Sequence, residues 1–190
     1  RSKEMAEVFT PSWICNAQNN LVDNSWFGTE SVFNKEILLK NGTKSWEITK
    51  EKIAFPKDKT WEDYVRDTRL EISCGEAPYL VSRYDTTTGE FIEIENRIGI
   101  LDRKLRVVNE NLDSTDEWLK AVETAFKSTY GFEWQGDSLL LAREALLITF
   151  IENFTHKFEI EPTLETIQNI AQIISWNIWQ MDGLKGVIPN

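Results

Sequence analysis

The chain has 190 residues, 41% of them hydrophobic, with eight tryptophans and a formal net charge of −10. That length suits one ordinary domain with a real core, and the composition excludes a disordered chain. The negative balance excludes a strong non-specific hold on nucleic acid by this chain alone, because that hold comes from lysine and arginine displacing counterions.

No run approaches the ~18 apolar residues of a membrane span, and no signal peptide is recognisable. Cys15 and Cys74 lie too far apart in sequence for a disulfide framework, so a reducing, cytoplasmic setting is expected. The chain starts at Arg1 without Met and stops at Pro189-Asn190, as expected of a piece of something longer.

Phe9-Thr10-Pro11 opens the first element. Thr10 is a capping residue, Pro11 suits a first turn, and Ile14, Ala17 and Leu21 recur at helical spacing to about Asn24. Glu36 to Lys40 and Ser45 to Thr49 flank Asn41-Gly42, a hairpin signature. Thr60 followed by Asp63 predicts a capped short helix to about Asp67. Arg69 to Ile72 reads as a short buried strand, and Ser73 to Ala77 as a small-residue turn interrupted by Glu76. Pro78 is placed to begin a helix. Strand, tight turn and helix start form a geometry that brings backbone N–H groups close to a ligand.

Phe91 to Ile94 alternates like a strand, and Ile98 to Asn109 reads as a helix. A second helix starts at Ser114, with Glu117 completing a capping box and Trp118, Val122, Ala125 and Phe126 on one face. Arg97, Arg103, Lys104 and Arg106 are the one basic concentration. They are expected to form a solvated face balanced by Glu93, Glu95 and Asp102, the alternative being a phosphate-facing surface.

Gly131 to Trp134 reads as a second buried strand ending in an acid and an aromatic. An acid at that point in a mononucleotide-binding fold accepts hydrogen bonds from ribose hydroxyls, which one carboxylate meets with its two oxygens. A helix is expected from Asp137 to Lys157, with Leu141, Ala145, Ile148 and Thr149 apolar. His156, the one histidine, has no ligand-spaced partners and reads as surface; no metal site is expected. Glu161-Pro162 starts another helix through Leu164, Ile167, Ile170 and Ile174. Trp176 to Leu184 then reads as a third strand ending in Asp182-Gly183, a common turn pair whose carboxylate is also placed to meet an adenine amino group.

Taken in order, these strand ends resemble the cofactor half of an S-adenosylmethionine-dependent, adenine-specific DNA methyltransferase, in particular the methylation subunit of a restriction–modification system. Glu71, Ser73, Cys74 and Gly75, followed by Tyr79-Leu80, are similar to that family's cofactor signature. Phe9-Thr10-Pro11 resembles its Thr-Pro motif, Gly131-Phe132-Glu133 with Ala142-Arg143 its ribose motif, and Asp182 its adenine-contacting acid. The resemblance implies S-adenosylmethionine as cofactor, held by Phe9, Thr10, Pro11, Glu71, Ser73, Cys74, Gly75, Glu133, Trp134, Asp182 and Leu184. It also implies a three-layer, Rossmann-like α/β fold with a partial parallel sheet and helical and hairpin insertions. A segment over 1–68 would carry the Thr-Pro motif, and a core over 69–190 would hold an insertion at about 85–129.

Three departures qualify it. The usual Gly-Ser-Gly turn reads Gly75-Glu76-Ala77 here, and the spacing from Gly75 to Glu133 is long. The catalytic Asn/Asp-Pro-Pro-aromatic motif is absent, so no catalytic residue is assigned to this chain. Double-stranded DNA would be met by regions outside it, a restriction or specificity subunit is an expected partner, and an open sheet edge is expected to self-associate. The competing expectation is an interaction domain of such a complex that has lost the cofactor. A nuclease has only Asp102-Arg103-Lys104 in its favour, and a sugar-binding module only the tryptophans.

Overall fold

The structure, a computed structural model, describes residues 9–189. In chain order the elements are α1 (Ser12–Phe27), β1 (Asn34–Leu38), β2 (Lys44–Ile48), α2 (Trp61–Arg66) and β3 (Arg69–Ile72). They continue with α3 (Ile100–Asn111), α4 (Thr115–Lys127), β4 (Thr129–Glu133), α5 (Gly136–Phe158), α6 (Leu164–Asn177) and β5 (Ile178–Gln180). The fold is mixed α/β. β1 and β2 form a separate antiparallel hairpin, while β3, β4 and β5 form a parallel sheet in that order. Among the described residues no helix is long and apolar enough to cross a membrane.

Side-chain alternation gives the sheet two unlike faces. Glu71, Gly131 and Ile178 share the face that meets the core: a Cβ added at Gly131 would lie 3.0 Å from Cys74 Sγ and 3.3 Å from Leu80 and Ile178. A side chain there would have to push these neighbours aside by a few tenths of an ångström. On the other face Leu70 and Ile72 are 45% and 50% exposed, and Tyr130, Phe132 and Trp179 are half-buried. The expected third layer is therefore missing among the described residues. The turn after β5 covers part of this face, with Gly183 so close to Ile72 that an added Cβ would collide with it.

One hydrophobic core joins the expected segments, running from Phe27, Phe33 and Tyr64 to Trp118, Phe150 and Ile178. The capping box at Thr60 forms as expected, with Asp63 N–H donating to Thr60 Oγ1 and Thr60 N–H to Asp63 Oδ2. Trp118, Val122, Ala125 and Phe126 are all buried, although Ser114 makes no side-chain cap. Phe91 to Ile94 departs from expectation: it forms only a bridge between Tyr84 and Phe91, then a 3₁₀ turn at Ile94–Asn96.

α1 turns its polar side inward. Asn16, Asn19, Asn20 and Asp23 are buried, whereas Leu21 is 69% exposed. The reason lies in α3, whose Arg103 is fully buried. Arg103 donates to Asp23 Oδ2 at 2.6 Å and to the side-chain oxygens of Asn16 and Asn20 at 2.9 and 2.8 Å. A buried guanidinium needs acceptors, and they come from α1. Lys104 is buried too, donating to Asp67 O and Ser128 Oγ, both at 2.6 Å, and to Ser128 O. The solvated basic face is thus corrected: two of its four cations lie in the interior. In α5 Ala145 and Thr149 are buried as expected, but Leu141 is exposed, and Leu139, Ala142, Leu146 and Phe150 complete the buried face.

Candidate functional site

β3 ends at Ile72, and the next residues alternate in hand. Ser73, Gly75 and Ala77 all have positive φ, at 61°, 56° and 64°. Two of them are not glycine, so the turn is held by its surroundings against a steric cost. Such alternation lets successive N–H groups converge. Cys74 N–H donates to Phe132 O at 2.8 Å, and Gly75 N–H to Glu133 Oε2 at 2.7 Å. The other carboxylate oxygen, Oε1, accepts Gln135 N–H at 2.8 Å. Glu133 therefore clasps the ends of two neighbouring parallel strands.

The helix expected from Pro78 does not form; residues 73–80 are turns. The carbonyls that would continue a helix are used elsewhere. Tyr79 O accepts Ile100 N–H and an Asn19 side-chain bond, and Leu80 O accepts Leu101 N–H. They receive the first N–H groups of α3, and no helix N-terminus follows this turn.

Between these strand ends and the segment before α1 lies a cavity of about 380 Å³, within the roughly 300–1,000 Å³ of small-molecule sites. Phe9, Thr10, Glu71, Ser73, Cys74, Gly75 and Glu133 line it, joined by Glu76, Pro78, Tyr79, Thr86, Gln135 and Ser138. Among the described residues no lysine, arginine or histidine does. Thr10 is pinned from a distance: its carbonyl accepts Thr86 Oγ1 at 2.8 Å, while neighbouring Asp85 caps α1 through Ser12 N–H at 2.7 Å. Burial raises the Asp85 pKa, but hydrogen bonds from Thr87 and Ser12 outweigh it and bring it down to about 2. Thr10 itself makes no cap.

Electrostatically the cavity is acidic. Burial, then the neighbouring Glu133, holds the Glu71 carboxyl well above the usual range. Glu76 accepts the Tyr84 hydroxyl at 2.8 Å, and burial followed by that bond raises Tyr84 to about 12. Cys74 and Cys15 are buried free thiols; burial, then Glu71, pushes both up, Cys15 to about 12.

Four expected site residues do not line the cavity. Pro11 is the residue before α1, and Trp134 is half-exposed, its carbonyl accepting Gln180 Nε2. Asp182 holds its own turn, Oδ1 accepting Leu184 and Lys185 N–H at 3.0 Å each, and Leu184 is 90% exposed. The physical cause is that β5 is only three residues long: α6 runs to Asn177, so the chain turns away before Asp182 reaches the other strand ends. Arg143 donates to Ile178 O at 2.7 Å and so anchors β5. Thr86, Gln135 and Ser138 were not singled out in the sequence, where polar residues in loops and at a helix start carry no distinguishing pattern.

Arg97 and Arg106 border a second cavity, of about 520 Å³, with His156 and Lys157. Its arginines are engaged: Arg106 with Glu110, Phe33 O and Thr49 O, and Arg97 with Glu152 and Ile92 O. His156 is a surface residue 3.5 Å from Glu95. No group of metal-ligating side chains occurs among the described residues. No protein-family model matches the chain, and no curated protein or solved structure matches it either.

Proposed function

We propose that this chain is the cofactor-binding portion of an S-adenosylmethionine-dependent DNA adenine methyltransferase of a restriction–modification system, with a Rossmann-like arrangement of β3, β4 and β5. One observation carries it. Glu133, at the carboxyl end of β4, and the Glu71–Gly75 turn, at the carboxyl end of parallel β3, open onto one cavity with no cationic side chain among the described residues. Carboxyl ends of neighbouring parallel strands are where open α/β sheets bind ligands. A cavity bordered by three carboxyls and no base disfavours phosphate groups, which call for arginine or lysine. It suits a nucleoside that carries hydroxyls and positive charge.

The residues present fit that cofactor. Each Glu133 oxygen keeps a lone pair beyond its backbone bond, enough for two ribose hydroxyls. The cofactor, when bound, supplies the methyl group. This chain would supply binding and orientation. The sequence contains no Pro-Pro dipeptide, so the reading assigns this chain binding without transfer, and leaves DNA and any restriction or specificity subunit to other regions.

Calorimetric titration with S-adenosylhomocysteine tests this. Wild type is expected to bind, Glu133→Ala to bind more weakly, and Asp182→Ala to match wild type, because Asp182 serves its own turn. A scaffold domain without cofactor is favoured by one feature: Glu133 already closes the Gly75 turn with both oxygens. Absence of binding to the wild type would select it.

A further inference from the structure

Three carboxyls line the strand-end cavity, and Glu71 alone among them has no hydrogen-bond donor. Its Oε2 is sealed from solvent without a partner, whereas Glu133 accepts two N–H groups and Glu76 accepts the Tyr84 hydroxyl. The groups around Glu71 are Glu133 from β4, Cys15 from α1, and Cys74, Glu76 and Tyr79 from the turn. Arg69 shares its strand face but pairs with Asp67 and Asp23, at 2.6 and 3.6 Å. Among the described residues no cation compensates Glu71. With Oε2 sealed beside another carboxylate, and neither donor nor cation near it among the described residues, Glu71 favours its protonated form.

We propose that Glu71 exchanges this proton for a ligand cation, so that the cavity takes up a positively charged nucleoside only as a proton leaves for solvent. The O–H bond of Glu71 breaks, the proton passes to buffer, and the carboxylate pairs with the incoming cation; no electrons are transferred. The exchange rests on the cofactor site proposed above. It makes Glu71 a specificity residue: cationic ligands gain affinity with rising pH, by up to about tenfold per unit, until the empty site also ionises. Neutral nucleosides gain none.

Two probes separate the cases: S-adenosylhomocysteine, a zwitterion whose tail offers an ammonium group beside a carboxylate, and 5′-methylthioadenosine, which lacks that tail and has no cation. Calorimetry at pH 7 in phosphate and in Tris reads the protons released. Close to one is expected per S-adenosylhomocysteine and none per methylthioadenosine. Glu71→Gln should abolish the release and weaken S-adenosylhomocysteine about tenfold, one pKa unit's worth of interaction, and weaken methylthioadenosine less. Binding without proton release, or unchanged release in Glu71→Gln, overturns the proposal.

Carbon-13 titration of the glutamate carboxyls in the ligand-free protein is independent of any ligand. Glu71 is assigned by its loss in Glu71→Gln, or by its downward shift in Glu133→Gln should the first variant not fold. A carboxyl already ionised at pH 6 overturns the exchange whatever binds. One protonated at pH 7, with neither nucleoside bound, overturns the cofactor site and the exchange with it.

Discussion

Glu133 and Gly75, 58 positions apart, are joined by a 2.7 Å hydrogen bond from the Gly75 N–H to the Glu133 carboxylate. The bond ties the end of β4 to the turn after β3 at the mouth of the acidic cavity. Glu133→Gln replaces one acceptor with a donor facing an N–H group. A loss of about 1–3 kcal/mol is expected, the cost of breaking a buried charge-assisted bond, read from urea unfolding midpoints. Unchanged stability would mean that the clasp is not formed in solution.

Backbone strain gives two substitutions of opposite sign. Gly75 has φ +56° with open space where a Cβ would stand, so Gly75→Ala introduces strain without a clash and should cost about 1–2 kcal/mol. Glu159 is exposed at the C-cap of α5 with φ 57°, its N–H bonded to Thr155 O. Glu159→Gly should gain about 0.5–1 kcal/mol. Thermal melts of both variants test the pair, and a destabilised Glu159→Gly would contradict it.

The Arg103–Asp23 pair locks α1 to α3. Arg103→Met leaves Asp23 buried with only Tyr64 and the more distant Arg69 as polar neighbours. A loss of about 3–5 kcal/mol is expected, as when one partner of a buried ion pair is removed. Adding Asp23→Leu should recover part of it. A single-variant loss under about 1 kcal/mol in denaturant unfolding would show the network to be solvated.

Lys104 carries a pH dependence. Burial, then nearby Arg69, lowers its pKa to about 7 from its ordinary 10.5, despite three acceptors around the amine. Between those values the unfolded chain binds the proton and the folded chain does not. This group therefore makes stability rise with pH across the window, by up to about 1.4 kcal/mol per unit. The measurement is the stability difference between wild type and Lys104→Met from pH 6 to 8.5, which cancels other groups. A difference independent of pH would refute the assignment.

Much of the skeleton follows from local chemistry. Gly42, at φ 83°, closes a short loop between the paired Leu39 and Thr43 in which Asn41 Oδ1 accepts Thr43 N–H, and Thr60 with Asp63 caps α2 without help from the rest of the fold. The β3 and β4 strand ends are legible because β-prone runs stop at small or acidic residues, and seven of the eleven expected site residues line one cavity. Asp182 and Leu184 were misplaced because helical and strand periodicity coincide over so short a run as Trp176 to Gln180. Packing, not pattern, ended α6 at Asn177, whose side chain donates to Phe126 O and Thr129 O.

By itself the sequence determined the α/β character, the hairpin, the order of the parallel strands along the chain and the acids at their ends. Each of these depends on neighbours within a few residues. Tertiary structure decided what depends on distant partners: α1 is buried through its asparagines because Arg103 needs acceptors, and Pro78 starts no helix because α3 occupies the carbonyls of Tyr79 and Leu80. Glu71 is left in the cavity without a donor or a cation among the described residues, since Arg69, on the same strand face, is held by Asp23 and Asp67. A buried charge goes to the partner that compensates it best, and only the assembled fold establishes which partner that is.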